Sequence, residues 1–132
     1  MPQREENSDP LYDKSLLAKQ AWKVAVSPVD LGYQAETNWL KMPNRWTLGQ
    51  VAGVEADSTN RLYIFHRGDA APPLLCFDAQ GNYLFSWEHI RFGRPHMVVC
   101  DKGDNVWLID GGGHVIYQLS SRGDITAILG TR

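Results

Sequence analysis

Three short segments of this chain carry side chains that could bind a ligand or a metal ion. They are FHRGD at residues 65–69, RPH at residues 94–96 and GGHV at residues 112–115. In the first segment Arg67 could bind a carboxylate or stabilise developing negative charge, because a guanidinium makes strong charge-assisted hydrogen bonds. The simpler interpretation is a turn arginine paired with Asp69, and the residue types alone favour it.

The histidines do not show the spacing of a metal site. The chain contains four histidines and has no HxH, HExxH or CxxC arrangement. A structural zinc ion needs four ligands, and a catalytic zinc ion needs three protein ligands with one open position. On spacing alone, His96 and His114 are therefore predicted to be hydrogen-bonded structural residues, with His114 bonding across a turn.

The elements that position these segments are short strands. Apolar, β-branched and aromatic runs alternate with polar turn clusters from Trp46 onward, which is typical of strands joined by tight turns. The turns are too short for a parallel crossover, so neighbouring strands must be antiparallel. The strands predicted for the first unit are Val51–Ala56, Leu62–His66, Leu74–Phe77 and Tyr83–Trp87.

This four-stranded unit occurs twice. Six positions recur 44 residues later, so that Asp57, Asn60, Leu62, Tyr63, Ile64 and Phe65 correspond to Asp101, Asp104, Val106, Trp107, Leu108 and Ile109. A repeat of about 40–45 residues with four strands is typical of a β-propeller blade. We therefore predict an all-β fold, a partial β-propeller of about two four-stranded antiparallel blades with an N-terminal strand and a possible short helix.

The predicted organisation has three parts. Residues 1–20 form a polar tail and a possible short helix that begins at Asp9-Pro10, and residues 21–45 form N-terminal strands at Trp22–Ser27 and Tyr33–Trp39. Residues 46–90 and 91–132 form the two blades. Propellers close with about four to eight blades, so we expect the missing blades to come from a longer chain or from self-association. An open stack of blades, with exposed strand edges, is the remaining alternative.

Composition excludes some partners and suggests a location. The net charge of -2 and the pI near 6.0 give no reason to expect binding to nucleic acid or to an anionic membrane. No apolar run is long enough for a transmembrane helix, and no export signal precedes the strands. Cys76 and Cys100 lie in apolar strands and are predicted to be buried free thiols, so we expect a cytoplasmic protein.

The segments quoted above resemble two related groups of propellers. The run GHVIYQLSSRGD resembles NHL repeats, although Gly113-His114-Val115 differs from asparagine-histidine-leucine at two of three positions. More narrowly, GQVAGVEAD, LYIFHRGD and FGRPH, followed by DNVWLIDGGGHVIYQL, resemble peptidyl-α-hydroxyglycine α-amidating lyase and its bacterial relatives. That family is a six-bladed propeller that splits a carbinolamide into a peptide amide and glyoxylate, with zinc and a structural calcium ion. The resemblance covers about residues 33–131.

The resemblance implies roles for four residues. Arg67 would contact substrate and support catalysis, and His96 would be one of three zinc-binding histidines. The backbone carbonyls of Val54 and Val98 would bind calcium. Met97 stands where the family has a glycine, and no residue here matches the other two zinc histidines or the catalytic tyrosine.

Two functions remain open at this point. The first is a lyase-like, metal-binding propeller that is inactive without further blades. The second is a non-catalytic NHL-type module that binds a peptide or a protein, and the sequence leaves open whether the chain is an enzyme. A lactonase-type calcium propeller is a third possibility, for which Asp110 is the candidate acid.

Overall fold

The computed structural model describes residues 30–131, which form two four-stranded antiparallel sheets. In each sheet the strands lie side by side in chain order, so each sheet is a meander. The strands of blade 1 are β1 (Val51–Ala56), β2 (Leu62–His66), β3 (Leu74–Phe77) and β4 (Tyr83–Trp87). The strands of blade 2 are β5 (Pro95–Cys100), β6 (Val106–Asp110), β7 (Val115–Leu119) and β8 (Ile125–Gly130). The predicted all-β, two-bladed fold is confirmed, and the first four strands have the predicted bounds.

The hairpin turns of the two blades are built alike. Asp57 accepts backbone N–H bonds from the residues two and four positions later, and Asp101 does the same in blade 2. Asn60 and Asp104, at the same place in each turn, have φ angles of 60° and 58°. Asparagine and aspartate tolerate this left-handed conformation better than most residues, because their short side chains bond locally to the backbone. The repeat read from the sequence therefore corresponds to a repeat of backbone geometry.

Most of the core lies between the two blades. One face of blade 1 packs on one face of blade 2, and Phe92, from the loop that joins the blades, packs between them. Its ring centroid lies 4.8 Å from that of Phe65 and 5.8 Å from that of Tyr117. The buried side chains of this core are Tyr63, Phe65, Leu74, Cys76, Trp87, Ile90, Val98, Val106, Leu108, Val115, Tyr117 and Leu119.

The other face of blade 1 is covered by the chain that precedes it. Leu40, Met42, Trp46 and Leu48 pack against the buried side chains of this face, which are Ile64, Leu75 and Phe77. Lys41 forms an isolated bridge to Asn82 in the β3–β4 turn.

The predicted strand Tyr33–Trp39 is wrong. These residues form no strand, and Tyr33 is 89% exposed. Alternation of apolar and polar residues produces a strand only where the backbone pairs with a neighbouring strand, and residues 33–39 pair with none of the described strands. The predicted helix at Asp9-Pro10 and the predicted strand Trp22–Ser27 lie outside the described residues.

The structure also bears on the predictions about the two cysteines and about a membrane-spanning helix. Cys76 and Cys100 are free thiols, the first buried and the second half-buried. Burial raises the pKa of each to about 12, so neither is a reactive thiolate. From residue 30 to residue 131 there is no helix with the length and hydropathy needed to cross a bilayer.

Candidate functional site

Arg67 connects two of the segments that the sequence singled out. It follows directly after β2, and its guanidinium reaches across the boundary between the blades. Nε of Arg67 donates to the carbonyl of Pro95 at 2.6 Å, and Nη1 donates to Oε1 of Gln50 at 3.0 Å. Pro95 opens β5 and immediately precedes His96, so the fold brings the FHRGD and RPH segments together.

The predicted pairing of Arg67 with Asp69 does not form. Among residues 30–131 the ion pair in the structure joins Arg61 to Asp57, with Nε and Oδ2 2.6 Å apart. Asp69 follows a backbone turn and is exposed. The half-buried guanidinium of Arg67 is therefore held by two neutral oxygens, and within the described part of the chain no carboxylate forms an ion pair with it.

A cleft of about 910 Å³ opens beside Arg67. Its walls come from the loop after β2 and from the loop that joins the two blades. Three arginines and two carboxylates line it together with apolar side chains. These charged residues are Arg67, Arg91, Arg94, Asp69 and Glu88. The cleft is therefore large enough for a small ligand and carries more positive than negative side chains.

The residue that sequence reasoning missed is His66. It is fully buried, and its Nδ1 accepts N–H bonds from Gly49 at 3.1 Å and Gly68 at 3.0 Å. Its Nε2 lies 2.8 Å from the carbonyl oxygen of Pro72. His66 therefore ties together the chain before β1, the turn that contains Arg67 and the loop that leads to β3. The 44-residue repeat could have identified it, because the same repeat aligns His66 with Asp110.

Asp110 is the corresponding buried residue of blade 2, 1% exposed. Its two carboxylate oxygens accept four backbone N–H bonds, from Gly93, Arg94, Gly112 and Gly113. Burial raises its pKa, but these hydrogen bonds outweigh the effect of burial, so the pKa lies below the ordinary value. Asp110 is a structural acceptor, not the channel acid that a lactonase-type calcium site would need.

His96 is exposed and lies in a β-bulge of β5. Its neighbours Pro95 and Met97 pair with Asp110 and Ile109, which leaves His96 as the extra residue. Its imidazole makes no hydrogen bond with any residue from 30 to 131. Across the same residues no three histidine, cysteine, aspartate or glutamate side chains come together in a way that could hold a metal ion. The described residues therefore do not form a zinc site, and zinc binding by His96 stays a prediction.

Val54 and Val98 occupy equivalent positions in β1 and β5. The two strands approach closely at Gly53, where an added Cβ would lie 2.9 Å from the backbone nitrogen of Val98. Val54 is 53% exposed and Val98 is 2% exposed. The carbonyls predicted to bind calcium thus belong to neighbouring strands, and calcium binding there stays a prediction.

His114 does not have its predicted role. It lies in the turn between β6 and β7 with a φ angle of 53°, and its side chain is exposed. Its imidazole makes no hydrogen bond within the described part of the chain, so the predicted bond across the turn is absent.

Comparison with known proteins links this geometry to a repeat type. NHL repeat-containing protein 3 of Homo sapiens is 35% identical over 107 residues, which cover 75% of this chain and 30% of that protein. The protein of the same name in Mus musculus is 33% identical over the same length. The two sheets of this chain are therefore NHL-type β-propeller blades. The chain spans less than a third of the length of these curated relatives, and no family model matches it.

Further similarities to these NHL-type blades are found in a monooxygenase sequence and in two solved lyase structures. Peptidyl-glycine alpha-amidating monooxygenase of Mus musculus is 31% identical over 107 residues, covering 63% of this chain and 11% of that protein. Among solved structures, a streptogramin B lyase superposes with a TM-score of 0.51 at 15% identity, over 66% of this chain and 27% of that one. A catalytically inactive virginiamycin B lyase from Staphylococcus aureus with quinupristin gives a TM-score of 0.53 at 15% identity, over 70% and 30%. At such low identity these two structures establish the fold and nothing about activity.

The two NHL-type blades differ at the position of Arg67. Its counterpart in blade 2 is Gly111, and the backbone N–H groups of the two residues make corresponding hydrogen bonds. The N–H of Arg67 donates to the carbonyl of Gln50, and the N–H of Gly111 donates to the carbonyl of Arg94. Of the two blades, blade 1 therefore carries a cationic side chain at this position and blade 2 carries a glycine.

Proposed function

We propose that this chain provides the arginine-bearing part of a lyase-like NHL propeller, in which Arg67 binds the carboxylate of a peptide substrate. The observation that carries the proposal is the guanidinium of Arg67, anchored by two neutral oxygens beside an open cleft. The likeness to an amidating monooxygenase supports a peptide as the ligand. Because about four to eight blades close a propeller, catalysis in this proposal needs blades beyond the two described here.

The part assigned to Arg67 is to bind and orient the substrate. A guanidinium has five N–H donors, and the contacts with Pro95 and Gln50 use two of them. These two contacts fix the plane of the group, so the remaining donors are already oriented before a carboxylate arrives. Such preorganisation lowers the entropic cost of binding and favours a two-point contact with the carboxylate.

A non-catalytic peptide-binding module is the second candidate, and one observation favours it. Bond cleavage needs a group that can accept a proton near the ligand. His66 lines the cleft, but both of its ring nitrogens are engaged in hydrogen bonds with the backbone. Among residues 30–131 the histidine that lines the cleft is therefore not free to act as a base, and the two carboxylates there, Asp69 and Glu88, are exposed to water.

A binding and turnover experiment tests both candidates. A short peptide ending in α-hydroxyglycine would be titrated into the protein, and the release of glyoxylate would be measured in the same samples. We expect Arg67→Ala to weaken binding by about tenfold or more, the scale of one charge-assisted contact. The matched control is Arg122→Ala, which removes an exposed arginine from the β7–β8 turn, outside the cleft.

The outcomes separate the candidates. Binding with glyoxylate release supports the lyase-like function, and binding without release supports the module. Binding that is the same in the wild type and in Arg67→Ala would contradict both, because each places Arg67 on the ligand.

Binding of zinc and calcium is proposed only for the lyase-like function. His96 would contribute one imidazole to zinc, and the carbonyls of Val54 and Val98 would face calcium, with the other ligands supplied by further blades. Metal analysis of the wild type and of His96→Ala measures this directly. Equal zinc content in the two proteins would rule out the assignment of His96.

A further inference from the structure

The buried positions that end β2 and β6 hold different side chains in the same backbone setting. His66 and Asp110 are 0% and 1% exposed. A corresponding pair of glycines donates N–H bonds to each of them, and Asp110 accepts two further N–H bonds, from Arg94 and Gly113. Gly49 and Gly68 donate to His66, and Gly93 and Gly112 donate to Asp110.

The hydrogen bonds of His66 define its tautomer. Two backbone N–H groups point at Nδ1, so Nδ1 must be the unprotonated acceptor. Nε2 faces the carbonyl oxygen of Pro72 at 2.8 Å and must therefore carry the hydrogen. The imidazole is neutral in this arrangement. A neutral ring thus performs in blade 1 the task that a carboxylate performs in blade 2.

The difference in charge between positions 66 and 110 is accompanied by a difference at the next residue. The residue after the neutral His66 is Arg67, and the residue after the ionised Asp110 is Gly111. An aspartate at position 66 would place a buried negative charge next to Arg67 in the chain. That charge would attract the guanidinium and would repel an anionic ligand in the cleft.

We propose that His66 is the positioning residue of the Arg67 site, a neutral substitute for the carboxylate of blade 2 that leaves the arginine without an ion-pair partner and available to a carboxylate ligand. The inference deepens the proposed function and rests on it for the identity of the ligand. The statement about His66 itself, that a neutral ring at position 66 avoids a buried carboxylate next to Arg67, can be tested without a ligand.

The test compares His66→Asn with His66→Asp. Both replacements are shorter than histidine by the same amount, both lose the bond to Pro72, and both offer an oxygen to the glycine N–H groups. They differ in charge. Blade 2 shows that an aspartate fits this backbone setting, so His66→Asp has a structural precedent. A thermal melt of each variant establishes that it folds.

Two measurements are made on each variant. The first is the affinity for a short peptide with a free C-terminal carboxylate, compared with the same peptide capped as an amide. We expect His66→Asn to stay within about threefold of the wild type and His66→Asp to bind about tenfold more weakly or worse. The amide-capped peptide should bind weakly to all three proteins. A purely structural role for His66 would weaken binding equally in both variants, and that result would overturn the proposal.

The second measurement is the rate at which phenylglyoxal modifies Arg67, mapped by mass spectrometry with Arg122 as the internal reference. Phenylglyoxal reacts with the deprotonated guanidinium, so a carboxylate beside Arg67 should slow the reaction. We expect slower modification in His66→Asp than in His66→Asn, and equal rates would overturn the proposal. This measurement needs no peptide. If the wild type bound no carboxylate peptide, the proposed function would fail while the role of His66 would still be tested.

A measurement on the wild type covers the case in which His66→Asp does not fold. Two-bond ¹H–¹⁵N correlation spectra report which ring nitrogen of a histidine carries the hydrogen. We expect the neutral Nε2–H form for His66 at pH 7. A ring with hydrogen on Nδ1, in either the neutral or the cationic form, would contradict the geometry on which the proposal depends.

Discussion

At the scale of single residues, the candidate site depends on one exchange between two copies of the same turn. Arg67 and His66 in blade 1 stand where blade 2 has Gly111 and Asp110. A corresponding pair of glycines donates to His66 and to Asp110, and the two side chains differ in charge. In blade 1 a cationic residue follows a buried neutral ring, and in blade 2 a glycine follows a buried anion.

The buried anion of blade 2 gives a prediction about stability. Asp110→Asn replaces a carboxylate that accepts four N–H bonds with an amide whose NH₂ group cannot accept. Buried N–H groups without a partner cost about 1–3 kcal/mol, so we expect the free energy of unfolding to fall by about 2 kcal/mol. Urea unfolding measures this change. The matched control, Asp69→Asn at an exposed position, should stay within about 0.5 kcal/mol of the wild type; equal losses in the two variants would contradict the role of Asp110.

At the scale of elements, the turns between paired strands perform two different tasks. All four β1–β2, β3–β4, β5–β6 and β7–β8 turns use a side-chain oxygen to accept two backbone N–H bonds. In blade 1 the β3–β4 turn also holds the preceding chain, because Lys41 donates its backbone N–H to Gly81. Gly81 has a φ angle of 77°, and a Cβ at this position would collide with the carbonyl oxygen of Trp39.

Alanine substitutions can separate these two tasks. Asn60→Ala places an alanine in a left-handed conformation and should cost about 1–2 kcal/mol. Gly81→Ala carries the same backbone cost and must also displace the chain at Trp39, so we expect it to be clearly more destabilising. Denaturant unfolding of both variants, with tryptophan fluorescence as the signal, gives the comparison. Equal costs would mean that the segment from Trp39 to Leu48 contributes little to stability.

At the scale of the whole molecule, one face of blade 2 is not covered by any of residues 30–131. Along β6 and β7 of blade 2 fully buried and half-buried side chains alternate, which is the pattern of a sheet packed on one face only. The half-buried face carries apolar side chains at positions that correspond to the buried core face of blade 1. These are Trp107, Ile109, Ile116 and Leu129. Contiguous apolar surface of this kind favours association.

We therefore expect the chain to self-associate, as the sequence also predicts. Leu129→Lys places a charge on the uncovered face at a residue that is 52% exposed, so it should weaken association with little effect on stability. Leu84→Lys is the matched control, since Leu84 is 44% exposed on the outer strand of blade 1. Sedimentation velocity of the three proteins measures the effect. A wild type that is monomeric at all concentrations would contradict the prediction.

The buried and hydrogen-bonded aspartates predict loss of stability in acid. Hydrogen bonds from Trp107 and Asn105 lower the pKa of Asp101 to about 2, and the pKa values of Asp57 and Asp110 are also lowered. A carboxyl group whose pKa is lower in the folded state contributes stability above its unfolded pKa, which is about 3.9. That stability is lost as the pH falls through the folded pKa.

We accordingly expect the melting temperature to change little between pH 7 and pH 5 and to fall between about pH 4 and pH 2. Thermal unfolding followed by circular dichroism at fixed ionic strength gives the profile. Asp101→Asn should flatten part of the acid decline, because its side chain no longer titrates. A melting temperature that is constant or rises from pH 4 to pH 2 would contradict the role assigned to these carboxylates.

Most of the fold was predictable from local patterns. Strand bounds follow from runs of β-branched and aromatic residues, and turn positions follow from Asp, Asn and Gly at places that need a left-handed backbone. The repeat then predicts the second blade from the first. The failure at Tyr33–Trp39 shows the limit of this reasoning, because an alternating segment becomes a strand only when a sheet edge lies beside it.

The candidate site was predictable only in part. The motif FHRGD pointed to Arg67, but its partners could not be read from the neighbouring residues. Asp69, two positions away, does not pair with it, whereas the carbonyl of Pro95, distant in sequence, does. Backbone conformation depends mainly on nearby residues, and the partner of a charged side chain depends on which atoms packing brings within hydrogen-bond distance. That is why the blades could be read from the amino-acid order, while the partners of Arg67 became visible only once the two sheets were packed together. The repeat could point to position 66, but the hydrogen bonds of His66 were shown only by the folded loops.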